Sequence, residues 1–387
     1  MFLTQCAVCA TELGFSSGKK CGRCSTRYCG AECQVQHWKE GGHDKLCKQI
    51  KRSGGAEQYN ANKKYTEAVT VAAEACADDT KGQTCYICTQ ALHWKTKEGL
   101  VRGCSCRGTA GFAHVSCLAE QAKILVAEAE ENNLERQPRW NRWHTCGLCE
   151  QDYHGVVHCA LGWACWKTYL GRPETDCARC LAMNVLGSGL HGGNHDEEAL
   201  SVYEADLATK RRLGTSEDSI LVTQTCIANL HARLGRNEQA SNMLRDVYSG
   251  RVRLNGEEHE ETVIAALNYA SSLGGLKRFE EARSLLRRMI PVARRVLGEN
   301  NDITLRVKFT YALALYNDTG ATLDDLSEAV ATLEETERTA RRVLGGAHPL
   351  TAGIGEALRG TRAALRAREG DALRDAVEAL RVKTDSS

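Results

Sequence analysis

The stretch RVLGENNDIT, residues 295–304, decides the fold of most of this chain, because variants of it recur at a regular period. In each copy a helix-like run ends at a glycine and an acidic or polar turn follows. The other copies are RRLGTSEDS (211–219), VRLNGEEHEET (252–262) and RVLGGAHPLT (342–351). Their glycines, Gly214, Gly256, Gly298 and Gly345, are 42, 42 and 47 residues apart. Because glycine commonly ends helices by adopting a positive φ, the period predicts repeated helical units.

A second motif recurs in step with the first, as LGRNEQA, LKRFEEA and LDDLSEA, whose last residues are Ala240, Ala282 and Ala329. Each period therefore holds two amphipathic helices joined by short turns. Neither helix of such a pair can bury its apolar stripe alone, so we expect neighbouring pairs to stack into a solenoid with one curved binding face. The same phase places an earlier pair at 176–190 and 196–214.

These motifs resemble the 42-residue tetratricopeptide repeats of kinesin light chains, in which LG is followed by HP and T after the second helix. LGGAHPLT at 344–351 matches that pattern, and the resemblance covers about residues 173–370. It implies protein or peptide clients. Members of that family hold a bound peptide with an Asn on the first helix, and Asn268 lies at that position here. Cys226 and Tyr311 occupy the equivalent positions of the flanking repeats.

Composition separates the front of the chain from the repeats. Of twenty cysteines, sixteen lie before residue 160. The first residues, MFLTQCAVCA, contain no apolar signal region, so we expect a reducing compartment, cytoplasmic or alternatively nuclear, in which the thiols bind metal.

Lys plus Arg (50) and Asp plus Glu (49) nearly cancel, which argues against a nucleic-acid partner. No run reaches the roughly 18–20 apolar residues of a membrane span, so no membrane association is expected.

Four pairs of metal-type ligands follow one another in CYIC (85–88), CSC (104–106), HVSC (114–117) and CGLC (146–149). Short spacing inside each pair lets both members reach one ion, and eight such residues satisfy two tetrahedral Zn²⁺ sites. Thiolate with imidazole in a closed site favours zinc over other metals. The predicted ligands are Cys85, Cys88, Cys104, Cys106, His114, Cys117, Cys146 and Cys149.

The ligand order and the segment CRGTAGFAHVSCL resemble the RING-CH variant of the RING finger. That resemblance implies interleaved pairs, with the first and third pairs sharing one ion and the second and fourth the other. A module this short buries little apolar surface, so zinc binding, worth about 10–16 kcal/mol in finger peptides, would supply its folding energy. A PHD finger has the same ligand order and is the alternative, although Trp143 lies three residues before the seventh ligand, not two.

The RING-CH resemblance implies a ubiquitin ligase that acts by positioning, without a covalent catalytic residue. Such fingers dock a ubiquitin-conjugating enzyme on a shallow apolar patch, and Ile87 lies at the usual apolar contact. Gln121 stands where the family commonly has Trp, the last ligand pair lacks its Pro, and Glu150 follows it in place of a cation. Two hypotheses therefore remain, a ligase and a non-catalytic scaffold whose fingers only bind peptides or proteins.

The first cysteine cluster consists of CAVC (6–9), CGRC (21–24), YCGAEC (28–33) and HDKLC (43–47). Over residues 6–47 it resembles a MYND finger, and that resemblance implies two further interleaved zinc sites. The implied ligands are Cys6, Cys9, Cys21, Cys24, Cys29, Cys33, His43 and Cys47. His37 lies in the same window and is the alternative to His43. MYND fingers bind short proline-containing peptides beside residues that correspond here to Gln34 and Trp38. With both fingers loaded, the chain would hold four zinc ions.

The sequence thus predicts a mostly α protein in which two small cross-brace zinc fingers precede an α-solenoid. The predicted order is a MYND finger (1–50), a linker helix (51–80), a RING-CH-type finger (81–152), a connecting helix (153–172), tetratricopeptide-like repeats (173–370) and a C-terminal tail (371–387).

Overall fold

The computed structural model describes residues 6–11, 13, 18–346 and 348–385, with side chains up to residue 374. The remaining parts of the predicted first finger and tail lie outside the described residues. Those described form fifteen α-helices and one antiparallel sheet of two short strands, which confirms the mostly α fold class. They divide into two compact units, one ending at Ser216 and one beginning at Glu217.

The first unit begins with the strands β1 (Lys19–Lys20) and β2 (Arg27–Tyr28), in which Lys19 pairs with Tyr28. Its helices are α1 (Ala31–Lys39), α2 (His43–Arg52), α3 (Ala56–Ala75), α4 (Val115–Glu131), α5 (Arg136–Trp140), α6 (Gly155–Tyr169), α7 (Cys177–Gly192) and α8 (Asp196–Leu213). Helix α3 lies inside the predicted linker and α6 inside the predicted connecting helix. The segment boundaries themselves stay predictions.

Helix α6 is the buried centre of the first unit. It is apolar on all sides, with Trp163, Cys165 and Trp166 among its buried residues, and it packs against α3, α4 and α7. A helix that is hydrophobic all round must be covered on every face to be stable in water. No helix in the described part of the chain is both long and apolar enough to cross a membrane.

Two glycines let α6 and α7 cross with their backbones in contact. A Cβ added to Gly189 would lie 2.7 Å from the carbonyl oxygen of His158 and 3.3 Å from the Cα of Gly162. A real side chain cannot occupy that space unless the helices separate, so the small residues fix the crossing.

We expect Gly189→Ala to lower the free energy of unfolding of this unit by about 1–3 kcal/mol, because the two backbones must move apart. Gly171→Ala is the matched control, since a Cβ there meets nothing within 4 Å. Urea unfolding followed by circular dichroism compares the two variants with the parent. If Gly189→Ala and Gly171→Ala had the same free energy of unfolding, the close backbone contact between α6 and α7 would be contradicted.

The second unit consists of helices that pack one after another along the chain. They are α9 (Glu217–Arg233), α10 (Asn237–Asn255), α11 (Glu260–Gly275), α12 (Phe279–Leu297), α13 (Asp302–Tyr316), α14 (Leu323–Leu344) and α15 (Pro349–Asp385). Fully buried leucines such as Leu286, Leu305 and Leu333 come from three successive helices, so each helix shares its apolar stripe with its neighbours. The longest period has six residues between α13 and α14, against three between α11 and α12, and its second helix α14 has 22 residues against 19 in α12.

The recurring glycine has a physical explanation in the turns of the repeats. Gly214, Gly256, Gly298 and Gly345 have φ values of 61°, 82°, 87° and 85°, which side-chain-bearing residues adopt only with strain. In two of the turns a buried threonine six residues later donates its hydroxyl hydrogen bond to the glycine carbonyl. These bonds are Thr262 to Gly256 at 2.7 Å and Thr304 to Gly298 at 2.8 Å. The motif therefore encodes the turn that connects one helix pair to the next.

Candidate metal centres

Sixteen cysteine and histidine side chains converge in four groups, all in the first unit. Within each group the sulfur and ring-nitrogen atoms lie within 4.8 Å of one another. The groups are Cys6, Cys9, Cys29 and Cys33; Cys21, Cys24, His43 and Cys47; Cys85, Cys88, His114 and Cys117; and Cys104, Cys106, Cys146 and Cys149. In each finger the first ligand pair meets the third and the second meets the fourth. The structure therefore brings together the same ligand pairs, in the same interleaved pattern, that the two family resemblances imply.

The spacing of the sulfur atoms fits a tetrahedral zinc site. A Zn–S bond of about 2.3 Å places two ligand sulfurs about 3.8 Å apart. The Sγ atoms of Cys21 and Cys47 are 3.8 Å apart, and those of Cys106 and Cys146 are also 3.8 Å apart. All twenty cysteines lie within the described residues and none forms a disulfide. The donor set and its dimensions therefore suit zinc, while the number of ions bound stays a prediction.

The structure places His43, not His37, among the sulfur atoms of the first finger. The Nε2 atom of His43 lies 3.4 Å from Cys24 Sγ. The His37 ring lies nearby, 4.9 Å from the His43 ring between centroids, but its Nδ1 atom lies 3.0 Å from the hydroxyl oxygen of Tyr28. Burial lowers the pKa of His43, which favours the neutral imidazole that a metal requires.

His114 is oriented for metal binding by a contact on the far side of its ring. Its Nδ1 atom lies 3.4 Å from Cys88 Sγ and 3.6 Å from Cys117 Sγ. The Nε2 atom lies 3.4 Å from the carbonyl oxygen of Ala91, to which an Nε2–H would donate. Such an outer partner fixes the tautomer and leaves the Nδ1 lone pair available for the ion. Burial also lowers the pKa of His114.

Backbone amides shape the ligand loops of the second finger and present two apolar side chains. The N–H of Ile87 donates to Cys85 Sγ at 3.4 Å, and the N–H of Leu148 donates to Cys146 Sγ at 3.4 Å. Hydrogen bonds to a sulfur favour its thiolate form. Ile87 is 36% exposed and Leu148 is 53% exposed. The sequence interpretation missed Leu148, although it occupies the same third position of CGLC that Ile87 occupies in CYIC.

The proposed peptide contacts of the first finger lie on α1. Gln34 is half-buried, and Trp38 is exposed with its ring edge-on to that of His43, 5.8 Å between centroids. No side chain of α1 is buried. The helix is therefore a surface element next to the metal ligands, and both residues are accessible to a partner.

Asn268 and Tyr311 lie in different surroundings within the repeats. Asn268 is half-buried on α11. The sequence interpretation aligned Tyr311 with it, but Thr262 and Thr304 relate α11 to α13 by 42 residues, which puts the half-buried Thr310 at the equivalent position. Tyr311, one position later, is buried, accepts a hydrogen bond from Arg287 Nε at 2.9 Å and donates one to Glu328 at 2.6 Å. Tyr311 therefore serves the contact between helices, and it does not continue a row of peptide-binding amides.

Family models match three parts of the chain. The MYND finger model matches residues 6–47, the RING-variant domain model matches 85–149, and a tetratricopeptide repeat model matches 219–294. The second match is to the RING variant, the interpretation preferred here over a PHD finger. No curated protein matches the chain.

Among solved structures, the chain is similar to a point variant of a Podosopora anserina protein assigned as kinesin light chain, with nearly identical TPR-like repeats. Identity is 16%, the TM-score is 0.41, and 60% of this chain and 98% of that chain are covered. The match to BtubC (BKLC) from P. vanneervenii has 14% identity and a TM-score of 0.37, and it covers 65% of this chain and 91% of that chain.

From the family models and the four metal-type groups together, we conclude that the chain contains a MYND finger, a RING-variant domain and tetratricopeptide repeats, and that it is a zinc-finger adaptor for protein interactions.

Proposed function

We propose that this adaptor is a RING-variant ubiquitin ligase. Its second finger recruits a ubiquitin-conjugating enzyme, while the MYND finger and the repeats select client proteins. The four groups of cysteine and histidine side chains hold one zinc ion each, and the bound zinc supplies folding energy to modules too small to fold without it. Reduced thiols on this scale suit the cytoplasm or the nucleus.

The observation that carries this proposal is the exposed Ile87 in a rigid ligand loop. An apolar side chain held at the surface by metal ligands and an N–H···S bond costs little entropy when a partner covers it. Leu148 is presented in the same way from the last ligand pair. Together they supply apolar anchors for a folded partner, and transfer then proceeds because the reactive groups are brought together, not because the finger supplies an acid or base.

We expect Ile87→Ala to reduce discharge of ubiquitin from a charged conjugating enzyme by about tenfold, which corresponds to about 1.4 kcal/mol of lost contact energy. Purified full-length protein is mixed with activating enzyme, a panel of conjugating enzymes and ubiquitin, and the discharge rate is measured. Leu134→Ala is the control, because Leu134 is also exposed but lies outside the ligand loops. Both variants should retain the zinc content of the parent.

A second candidate function is a scaffold that binds proteins without promoting transfer. It is favoured by Gln121, which is half-buried on α4 where the family commonly has Trp, and by the exposed carboxylate of Glu150 after the last ligand. Failure of the parent protein to discharge ubiquitin from any enzyme of the panel would favour the scaffold. Clients would then contact Gln34, Trp38 and Asn268 without being modified.

A further inference from the structure

The four metal-type groups differ in how well they are shielded from solvent. In the group Cys6, Cys9, Cys29 and Cys33, here called the outer sulfur group, Cys9 and Cys29 are exposed. Each of the other twelve ligand residues is buried or half-buried, and all four members of the neighbouring group in the same finger are buried. An oxidant in solution therefore reaches the outer sulfur group first.

The exposed sulfurs are also adjacent to each other. Cys9 Sγ lies 3.5 Å from Cys29 Sγ, and Cys33 Sγ lies 3.4 Å from Cys29 Sγ. After one sulfur is oxidised, a second thiolate is already within reach of it. Accessibility and a nearby resolving thiol are the features that distinguish oxidation-sensitive cysteines from inert ones.

We propose that the outer sulfur group is an oxidation site for hydroperoxides, at which Cys9 and Cys29 become a disulfide and the zinc ion is released. A thiolate attacks the peroxide, the O–O bond breaks, and a sulfenic acid and an alcohol or water form as one proton is taken up. The second thiolate attacks the sulfenic sulfur, the S–S bond forms and hydroxide leaves, which a second proton converts to water. Two electrons pass from the sulfurs to one peroxide molecule.

Oxidation at this position would loosen the start of α1. The helix has no buried side chain, and its N-cap residue Gly30 makes no side-chain cap hydrogen bond. Cys29 precedes the helix and Cys33 lies in its first turn, so shared metal ligation holds that turn in place. The second half of α1 has other contacts, through His37 to Tyr28 and Trp38 to His43. The first half carries Gln34, so peroxide would weaken peptide binding, a consequence that rests on the proposed function.

The test is oxidation of the zinc-loaded full-length protein by hydrogen peroxide. Zinc release is followed with a chromogenic chelator, and the remaining thiols are alkylated under denaturing conditions and mapped by mass spectrometry. We expect one ion per chain to leave at least about tenfold faster than the others, with Cys9 and Cys29 as the residues protected from alkylation. Release of all ions at one rate, or earlier oxidation of another group, would overturn the proposal.

Two variants test whether the exposed thiols of the outer sulfur group are responsible for the fast release of zinc. Cys9→His removes an exposed thiol but supplies another zinc ligand, so it should bind four ions and slow the fast release phase by about tenfold. Cys177→Ser removes an exposed thiol that belongs to none of the groups, and it should leave the fast phase unchanged. If Cys9→His fails to bind zinc, the mass-spectrometric order of oxidation in the parent still decides the question.

Hydrogen exchange separates this inference from the proposed peptide binding. After brief oxidation, amides in the first turns of α1 should lose protection while those of α2 keep theirs. Unchanged exchange in α1 despite disulfide formation would overturn the proposed loosening. Neither readout depends on a client or on ubiquitin transfer.

Discussion

Replacing Cys104 with Ser should unfold the second finger and lower the zinc content by at least one ion per chain. The Cys104 side chain is buried, and its sulfur belongs to a group with Cys106, Cys146 and Cys149. Serine is a poor zinc ligand, so the variant loses most of a binding free energy of about 10–16 kcal/mol, which a module of this size cannot replace by apolar burial.

The matched control is Cys76→Ser, because Cys76 is half-buried at the end of α3 and belongs to none of the four groups. Elemental analysis gives the zinc content, and circular dichroism with limited proteolysis locates the unfolded segment. Helices of the unit that begins at Glu217 should stay folded and resist the protease. If Cys104→Ser kept its full zinc content and a protected finger, the proposed metal role of this group would be wrong.

Replacing Lys210 with Met should lower the free energy of unfolding of the first unit by about 3–5 kcal/mol. Lys210 Nζ lies 2.7 Å from Asp206 Oδ2 on α8, and the two side chains are 5% and 0% exposed. Removing the ammonium group takes a cation away from a buried carboxylate, which costs much more than loss of an exposed ion pair.

Two further variants test the reason for that loss. The double variant Asp206→Leu with Lys210→Met removes both charges and should recover most of the stability. Lys63→Met breaks another pair with a spacing of four residues, Lys63 with Glu67, whose side chains are 67% and 52% exposed. It should change stability by less than about 0.5 kcal/mol. Urea unfolding gives the free energy of unfolding of all three variants. Similar losses of stability for Lys63→Met and Lys210→Met would contradict the role of burial.

Much of the architecture follows from local patterns in the sequence. The glycine period predicts helix pairs because Gly256 and Gly298 adopt a backbone conformation that other residues avoid, and because Thr262 and Thr304 close the same turn six residues later. Ligand pairs such as Cys85 with Cys88 can be recognised for a similar reason, since one to three intervening residues limit how far the sulfurs can separate. The mostly α fold class is confirmed, and so are the resemblances to the three families, which depended on known motifs such as LGGAHPLT and CRGTAGFAHVSCL.

By itself, then, the sequence determined the helix-pair repeat and the ligand pairs, because both depend on contacts within a few residues along the chain. Only the tertiary structure placed the His43 ring among the sulfur atoms and the His37 ring against Tyr28, exposed Cys9 and Cys29 while burying the neighbouring group, and left Leu148 exposed as Ile87 is. Each of these outcomes depends on how segments far apart in sequence pack together. Solvent exposure is a property of that packing, and residue spacing does not encode it.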